Sequence, residues 1–434
     1  MTSVSRQDTI RIGFLGLGVV GSGAYALIER NRGSIEHKIG SRIVVSRIAV
    51  RDLAKRRAVT VPREILTNNP IEVVDDPDVD IVCELIGGVS PAREYVLRAL
   101  RAGKHVVSAN KELIAKHGAE IIELADSRRL DFAYEGSVAG GIPIIQPLRS
   151  ALAGNSIIEV KGIVNGTTNY ILTRMTREGA EFGDVLREAQ ALGYAEADPT
   201  SDVDGYDAQY KLAILASLAF TTQVRVSDVY VEGISHVTAR DIDCARDLGY
   251  VIKLLAIAAR SGENDIQARV HPALVPAGHP LASTNDVYNA ILARGDAVGD
   301  VMFFGRGAGM MPTGSAVVGD IIDICRNIQA GATGRIPSAC FSRRNVLPMD
   351  TVRTKYYVRM LVRDTPGVLA AVASVFGEHR VSIETVVQKA TREDQAEIVW
   401  VTHEVLEADM RAALGRIREL PVVDSLENWL RVEN

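Results

Sequence analysis

Apolar positions in the first third of the chain come in short runs separated by longer amphipathic stretches. The runs at 10–15, 43–50, 80–86, 105–108 and 130–134 have strand length. Residues 19–31, 91–102 and 112–128 between them carry the helical period. Such alternation predicts an α/β doubly wound, mostly parallel sheet over residues 1–140. The pattern then changes. Over 141–304, strands at 157–164 and 265–272 mix with helices predicted at 202–220 and 239–260, which is an α+β arrangement. A Gly-rich stretch from 305 leads into an apolar helix over 315–329, and 305–330 is expected to complete the first sheet's domain. Residues 331–351 read as a linker, polar and irregular around 332–347. Residues 352–434 follow the β-α-β-β-α-β order of a ferredoxin-like unit.

Composition narrows the function classes. A chain of 434 residues exceeds one ordinary core, so several domains are expected. With 47% hydrophobic and 24% charged residues and a net charge of -5, nothing points to nucleic acid or a membrane surface as a partner. No apolar run is long enough to cross a bilayer, and the first residues lack the layout of a secretory signal. Cys83, Cys244, Cys325 and Cys340 are scattered, with no metal-ligand spacing. They read as reduced thiols of a cytoplasmic protein, with Cys83 in a buried strand.

Three clusters carry chemistry. Gly16-Leu17-Gly18-Val19-Val20-Gly21 is G-x-G-x-x-G between a predicted strand and helix. Gly16 permits the turn, Gly18 lets a pyrophosphate approach the backbone, and Gly21 allows close helix packing. The helix N-terminus, at Val19 and Val20, would face the phosphates of a dinucleotide in a Rossmann-type domain. A chance glycine-rich turn is the plain alternative, but the strand–helix context favours the dinucleotide. At the end of the second strand stands Val50-Arg51-Asp52, followed by Lys55, Arg56 and Arg57. Arginine there suits a 2′-phosphate, so NADP(H) is expected over NAD(H), with Asp52 pulling the other way. Arg51 lies farther from Gly21 than the usual spacing, which a longer first helix through about 29–42 would explain.

The second cluster, Ser108-Ala109-Asn110-Lys111, ends a sheet strand, where ligands of open α/β sheets bind. Taken alone, Lys111 is an ordinary surface lysine. The third runs from Gly193-Tyr194-Ala195-Glu196 through Asp198-Pro199 to Asp202, Asp204, Gly205, Asp207 and Lys211. Asp207 and Lys211 share one helix face. An exposed ion pair is the plain reading, but Lys211 leads into Leu212-Ala213-Ile214-Leu215-Ala216, a buried-helix pattern that makes it a better catalytic candidate. The turn at 166–169, Gly-Thr-Thr-Asn, reads as the start of a helix with threonine as its N-cap.

Together these segments resemble homoserine dehydrogenase. The motifs that carry the resemblance are GLGVVG (16–21), SANKELIA (108–115), EGSVAGGIPII (135–145), GIVNGTTNYIL (162–172), LGYAEADPTSDVDGYDAQYKLAIL (192–215) and GRGAGMMPTGSAVVGD (305–320). Variation from the family is noted at Met310, Met311 and Gly314, in the late loop where small residues are commoner. The C-terminal part resembles ACT regulatory domains, with Asp364-Thr365-Pro366-Gly367 as the ligand turn. The resemblance implies reduction of aspartate 4-semialdehyde to homoserine, with Lys211 as proton donor and Lys111 beside cofactor and substrate. It implies Glu196 and Asp207 as substrate acids, to which Asp202 and Tyr194 are added. Gly16, Gly18, Val19, Val20, Gly21, Val50, Arg51, Ser108, Lys111, Gly166 and Gly307 would contact the cofactor. It further implies a structural sodium ion held by Glu135 and the carbonyls of Val138, Gly140 and Ile142, threonine as effector, and a homodimer or homotetramer. On this reading the catalytic part should survive removal of 352–434. Two rivals are an aspartate-semialdehyde dehydrogenase, which needs a nucleophilic cysteine, and a non-enzymatic nucleotide or amino-acid sensor. The first lacks a cysteine in a convincing turn, and the second would be favoured by loss of Asp207 or Lys211.

Overall fold

In the computed structural model, residues 7–335, 344–389 and 394–433 are described. Cys340 and much of the expected linker lie outside them. The chain forms two compact units, Met1–Val160 with Tyr210–Val226 and Asn289–Arg344, and Lys161–Gln209 with Ser227–Tyr288 and Asn345–Asn434. No helix among the described residues is long and apolar enough to cross a membrane.

The first unit holds the predicted parallel sheet. Its strands are β1 (Thr9–Leu15), β2 (Arg42–Ala49), β3 (Leu66–Thr67), β4 (Ile81–Glu84), β5 (His105–Ser108) and β6 (Phe132–Ala133). They lie in the order β3-β2-β1-β4-β5-β6, all parallel, so the direction of winding reverses between β1 and β4. The short β3 carried no sequence signal. The first helix runs from Val19 to Ile39 and ends on left-handed Gly40. Its extra turns account for the distance between Gly21 and Arg51. Helix Met310–Ala330, longer than expected, sends Val317, Ile321, Ile324 and Cys325 into the core built on Ile10, Ile12, Phe14 and Cys83. The two helices touch through glycine. A Cβ on Gly314 would stand 2.7 Å from Ala24 N, and one on Gly23 only 1.9 Å from Met310 O. The departure at Gly314 is thus the residue that this close approach requires.

The second unit corrects two predicted helices. The helix expected over 239–260 stops at Asp247; Gly249 takes φ +83, and Tyr250–Arg260 is a strand paired antiparallel with Asp265–Pro276. The strand is buried on both faces, so its apolar run has no alternation to distinguish it from a buried helix. The helix expected over 202–220 is two, Thr200–Val203 and Tyr206–Ala219, broken where Gly205 takes φ +86.

The C-terminal order is as predicted: strand Arg353–Arg363, helix Val368–Glu378, strands Ile383–Lys389 and Gln395–Thr402, helix Glu407–Arg418 and strand Val423–Val432. Its core includes Tyr356, Met360, Phe376, Trp400 and Leu414. Its sheet does not end at its own edge. Strand Val423–Val432 pairs in parallel with Asp265–Pro276, Ala273 opposite Arg431, and Glu433 N donates to Leu274 O at 2.9 Å. Buried charges bind the same junction. Arg359 Nε donates to Asp241 Oδ1 at 2.7 Å, Arg431 pairs with Glu407 and reaches Glu232 Oε2 at 2.7 Å, and Arg269 pairs with Glu433 at 2.8 Å. Cutting the chain near residue 345 would strip partners from Asp241, Glu232 and Arg269 and bare a strand edge. Removing one partner of a buried pair costs about 3–5 kcal/mol. The expectation that the rest survives without 352–434 therefore meets a physical obstacle.

This junction has a pH signature. Burial, with Arg431 and Arg269 nearby, lowers the His271 pKa to about 4, against the pull of Glu433. Burial opposes ionisation of Glu433, but Arg269, His271 and Lys161 win and lower its pKa to about 2. Both folded values lie below the unfolded ones. The unfolded chain binds more protons in each window, so stability is present at neutral pH and falls on acidification. For His271 the loss runs from about pH 6.5 to 4 and amounts to about 3 kcal/mol. Urea midpoints measured at pH 7, 5.5 and 4.5 should fall in the wild type, and the fall between pH 7 and 4.5 should be clearly smaller in His271→Gln. Parallel curves would refute the assignment.

Candidate active site

The first unit contributes a cleft at the carboxyl ends of β1 and β4, with a volume of 780 Å³. Gly16, Gly18, Val19, Val50 and Arg51 line it; Val20 and Gly21 do not. Gly16 takes φ +104, and a Cβ there would stand 2.7 Å from Leu85 O. A Cβ on Gly21 would meet Gly16 O at 2.5 Å, whereas nothing lies within 4 Å of one on Gly18. Tight turn, close packing and open approach are thus distributed as the motif requires. Arg51, Asp52, Lys55 and Arg56 line the same cleft. The Asp52 carboxylate accepts from Ala54 N at 2.8 Å, and Arg57 donates to the carbonyls of Asp52 and Lys55. Asp52 is therefore engaged in its own turn.

Sequence reasoning missed Glu84, at the end of β4. It is fully buried; Oε2 accepts from Ser108 Oγ at 2.7 Å and Oε1 from Ile86 N at 3.0 Å and Gly87 N at 3.2 Å. Burial raises its pKa, against these hydrogen bonds. The signal available was an acid closing an apolar strand, which is unusual unless it has partners. Ser108 thus uses its hydroxyl hydrogen inside the turn. Asn110 caps helix Lys111–Ser127, accepting from Leu113 N at 3.1 Å while donating to Gly88 O at 2.6 Å. Lys111 opens that helix, half-buried.

The 135–142 loop lies in the same unit. Glu135 accepts from Ile144 N, Ile145 N and Gln146 N at 2.6, 2.8 and 2.7 Å. Burial nonetheless raises its pKa. Ala139 and Gly140 are both left-handed, and a Cβ on Gly140 would stand 2.5 Å from Gly307 O. Gly140 and Gly307 are therefore neighbours, while Val138 and Ile142 are buried. Among the described residues no group of three His, Cys, Asp or Glu side chains could hold a metal. A cation at this loop would rest mainly on carbonyl oxygens, and two consecutive left-handed residues suit that arrangement.

In the second unit, Asn165 is the organising residue, also missed. The N-cap of helix Gly166–Glu178 is Asn165, not the expected threonine: its Oδ1 accepts from Thr168 N at 2.8 Å. Its Nδ2 donates to Asp202 Oδ1 at 2.7 Å and Asp207 Oδ2 at 2.9 Å. Two predicted acids are thereby gathered on one amide. Tyr194 is held by its carbonyl, which accepts from Thr167 Oγ1 at 2.7 Å, and its ring meets Tyr170 edge-on. Glu196 is exposed on the same loop, where Gln190 holds its carbonyl at 3.1 Å. Gly166 opens the helix. Asp207 and Lys211, both buried, stand one turn apart on helix Tyr206–Ala219, of which the part from Tyr210 on belongs to the first unit. Cys83, Cys244 and Cys325 are buried free thiols whose pKa values are raised by burial, which removes them as nucleophiles.

The arrangement has known counterparts. The family profile for homoserine dehydrogenase matches residues 143–322, that for its NAD binding domain residues 16–135, and that for the ACT domain residues 356–422. A homoserine dehydrogenase of Synechocystis sp. is 48% identical over 432 residues, covering 98% of this chain and 99% of that protein. The crystal structure of a homoserine dehydrogenase from Thiobacillus denitrificans superimposes with a TM-score of 0.93 at 45% identity, covering 98% of each chain. A hyperthermophilic archaeal homoserine dehydrogenase mutant, solved in complex with NADPH, matches with a TM-score of 0.62 at 28% identity, over 73% of this chain and 97% of that one.

Proposed function

The chain belongs to the homoserine dehydrogenase family, and on that premise we propose how its residues interconvert aspartate 4-semialdehyde and homoserine. The observation that carries the reading is the Asn165 amide holding Asp202 and Asp207 together, with Lys211 one turn beyond on the same helix. A nicotinamide cofactor, when bound, supplies the hydride for reduction. Lys211 stabilises the negative charge that develops on the aldehyde oxygen and delivers a proton to it. Asp202, Asp207 and Glu196 accept from the substrate ammonium, with Tyr194 beside them. Lys111 serves cofactor and substrate at the end of β5. The family resemblance adds Gly166 and Gly307 as further cofactor contacts. Functionally, residues 1–140 with 305–330 bind the dinucleotide, 141–304 the substrate, 331–351 link, and 352–434 regulate.

NADP(H) is the preferred cofactor on this reading. Arg51, Lys55 and Arg56 line the cleft, the Asp52 carboxylate is engaged in its own turn, and an archaeal relative was solved with NADPH. Sodium at the 135–142 loop is structural. Threonine is the effector at the 364–367 turn, and the family's dimer or tetramer is supported by exposed Met302 and Phe304 on the edge strand Gly299–Arg306. Reduced, buried thiols favour a cytoplasmic setting.

Lys211→Ala should fold and bind cofactor yet lose about 10²–10⁴-fold in kcat. Turnover within a few-fold of wild type would remove Lys211 from the chemistry. In steady-state comparison of the two cofactors, kcat/KM should favour NADPH, and Arg51→Ala should reduce that preference about 10–150-fold; a wild-type preference for NADH would shift attention to Asp52. Threonine should inhibit the full-length enzyme about 5–150-fold, and Asp364→Ala should relieve it without changing basal activity. Equal inhibition of the variant would place the ligand elsewhere.

A further inference from the structure

Lys253 lies on strand Tyr250–Arg260 and is 1% exposed. Its Nζ donates to Asn169 Oδ1 at 3.0 Å, Thr284 O at 2.6 Å and Asn285 Oδ1 at 3.1 Å. None of these oxygens belongs to a carboxylate. A buried ammonium without an acid is costly, and it persists only where each hydrogen has an acceptor. Here all three do.

The partners explain what it secures. Asn165, Asn169, Thr173 and Arg177 recur every four residues, so they form one polar stripe beginning at the cap of helix Gly166–Glu178. Each of the lower three holds the 284–288 loop. Asn169 Nδ2 donates to Thr284 O at 3.1 Å and Tyr288 O at 3.0 Å. Thr173 Oγ1 accepts from Asp286 N at 3.0 Å, and Arg177 pairs with Asp286 at 3.0 Å. The top of the stripe, Asn165, holds Asp202 and Asp207. Lys253 therefore braces, from the strand side, the helix whose N-cap residue holds the acids.

We propose that Lys253 is a positioning residue for the substrate acids: its ammonium locks helix Gly166–Glu178 to the 284–288 loop and thereby fixes where Asn165 holds Asp202 and Asp207. This rests on the reading that those acids take the substrate ammonium. It also sets a pH dependence. Burial lowers the Lys253 pKa to about 8; the charges acting on it, Arg177 and Asp286, pair with each other and largely cancel. The neutral amine has two hydrogens for three oxygens, and its lone pair must face one of them. Above about pH 8 one brace is lost and substrate binding weakens.

The test is steady-state homoserine oxidation by the full-length enzyme from pH 7 to 9.5, comparing wild type, Lys253→Met, Lys253→Gln and Asp207→Asn. At pH 7, Lys253→Met should raise the homoserine KM about tenfold while the cofactor KM stays within about twofold. Wild-type homoserine KM should rise above pH 8. Lys253→Gln keeps two donors without titrating, so it should show a smaller increase at pH 7 and a shallower alkaline rise than the wild type, the remainder coming from the substrate's own ammonium. An unchanged homoserine KM in folded Lys253→Met, or equal changes in both KM values, overturns the proposal. Should Lys253→Met not fold, an alkaline rise in Lys253→Gln as steep as that of the wild type overturns it equally. If Asp207→Asn leaves the homoserine KM unchanged, the assignment of the acids falls and this proposal with it. If Asp207→Asn raises KM and neither Lys253 variant does, the proposal alone falls.

Discussion

The second unit's candidate site is organised around one amide, which hydrogen-bonds two carboxyl groups at once. Asn165 offers Asp202 and Asp207 a hydrogen each, at 2.7 and 2.9 Å. The amide cannot turn round, because its oxygen caps helix Gly166–Glu178 at Thr168 N. A flipped amide would set nitrogen against an N–H and oxygen against two carboxylates. Helix start, acid pair and amide orientation are therefore one constraint. Left-handed Gly205 contributes by ending one short helix and starting another, so that Asp207 falls in the first turn and Lys211 one turn later. A Cβ at Gly205 would press on Val231 at 3.0 Å, so the break is fixed by packing as well as by φ.

Elsewhere, charges are buried only where hydrogen bonds surround them. Glu84 has three donors and Glu135 three backbone N–H groups, yet burial still raises both pKa values. Those donors do not fully replace water. What the acids supply is shape. Glu84 fixes the 85–87 turn against Ser108, and Glu135 gathers the amides of 144–146 beneath the 138–142 turn.

The sequence was most legible where chemistry is local. The glycine motif, the parallel sheet and the C-terminal β-α-β-β-α-β order all rest on neighbours or on short periods, and the structure has them. Tyr250–Arg260 was misread because a strand buried on both faces has no alternation, and only Gly249 marked the change. Asn165 was passed over because Thr167 and Thr168 are also good caps, and its acids lie 37 and 42 residues away. Glu84 looked like the end of a strand. The junction of Arg431 with Glu232 and of Arg359 with Asp241 spans 199 and 118 residues, beyond any local pattern. That is why residues 352–434 read as separable when their last strand extends the sheet that contains Tyr250–Arg260 and Asp265–Pro276.

This continuity bounds how an effector could act. Strand Val423–Val432 joins Asp265–Pro276, which joins Tyr250–Arg260, the strand of Lys253. Contact alone transmits nothing; a ligand shifts an arrangement only by preferring it over another. Typical coupling energies are about 1–3 kcal/mol. Breaking one buried ion pair at the junction costs about 3–5 kcal/mol. A ligand at the 364–367 turn therefore lacks the energy to detach the module by opening Arg431–Glu232 or Arg359–Asp241. Any regulation through that turn would run through arrangements that keep those pairs intact. A displacement small enough to keep them would still meet helix Gly166–Glu178, which Lys253, Asn169, Thr173 and Arg177 together tie to the 284–288 loop.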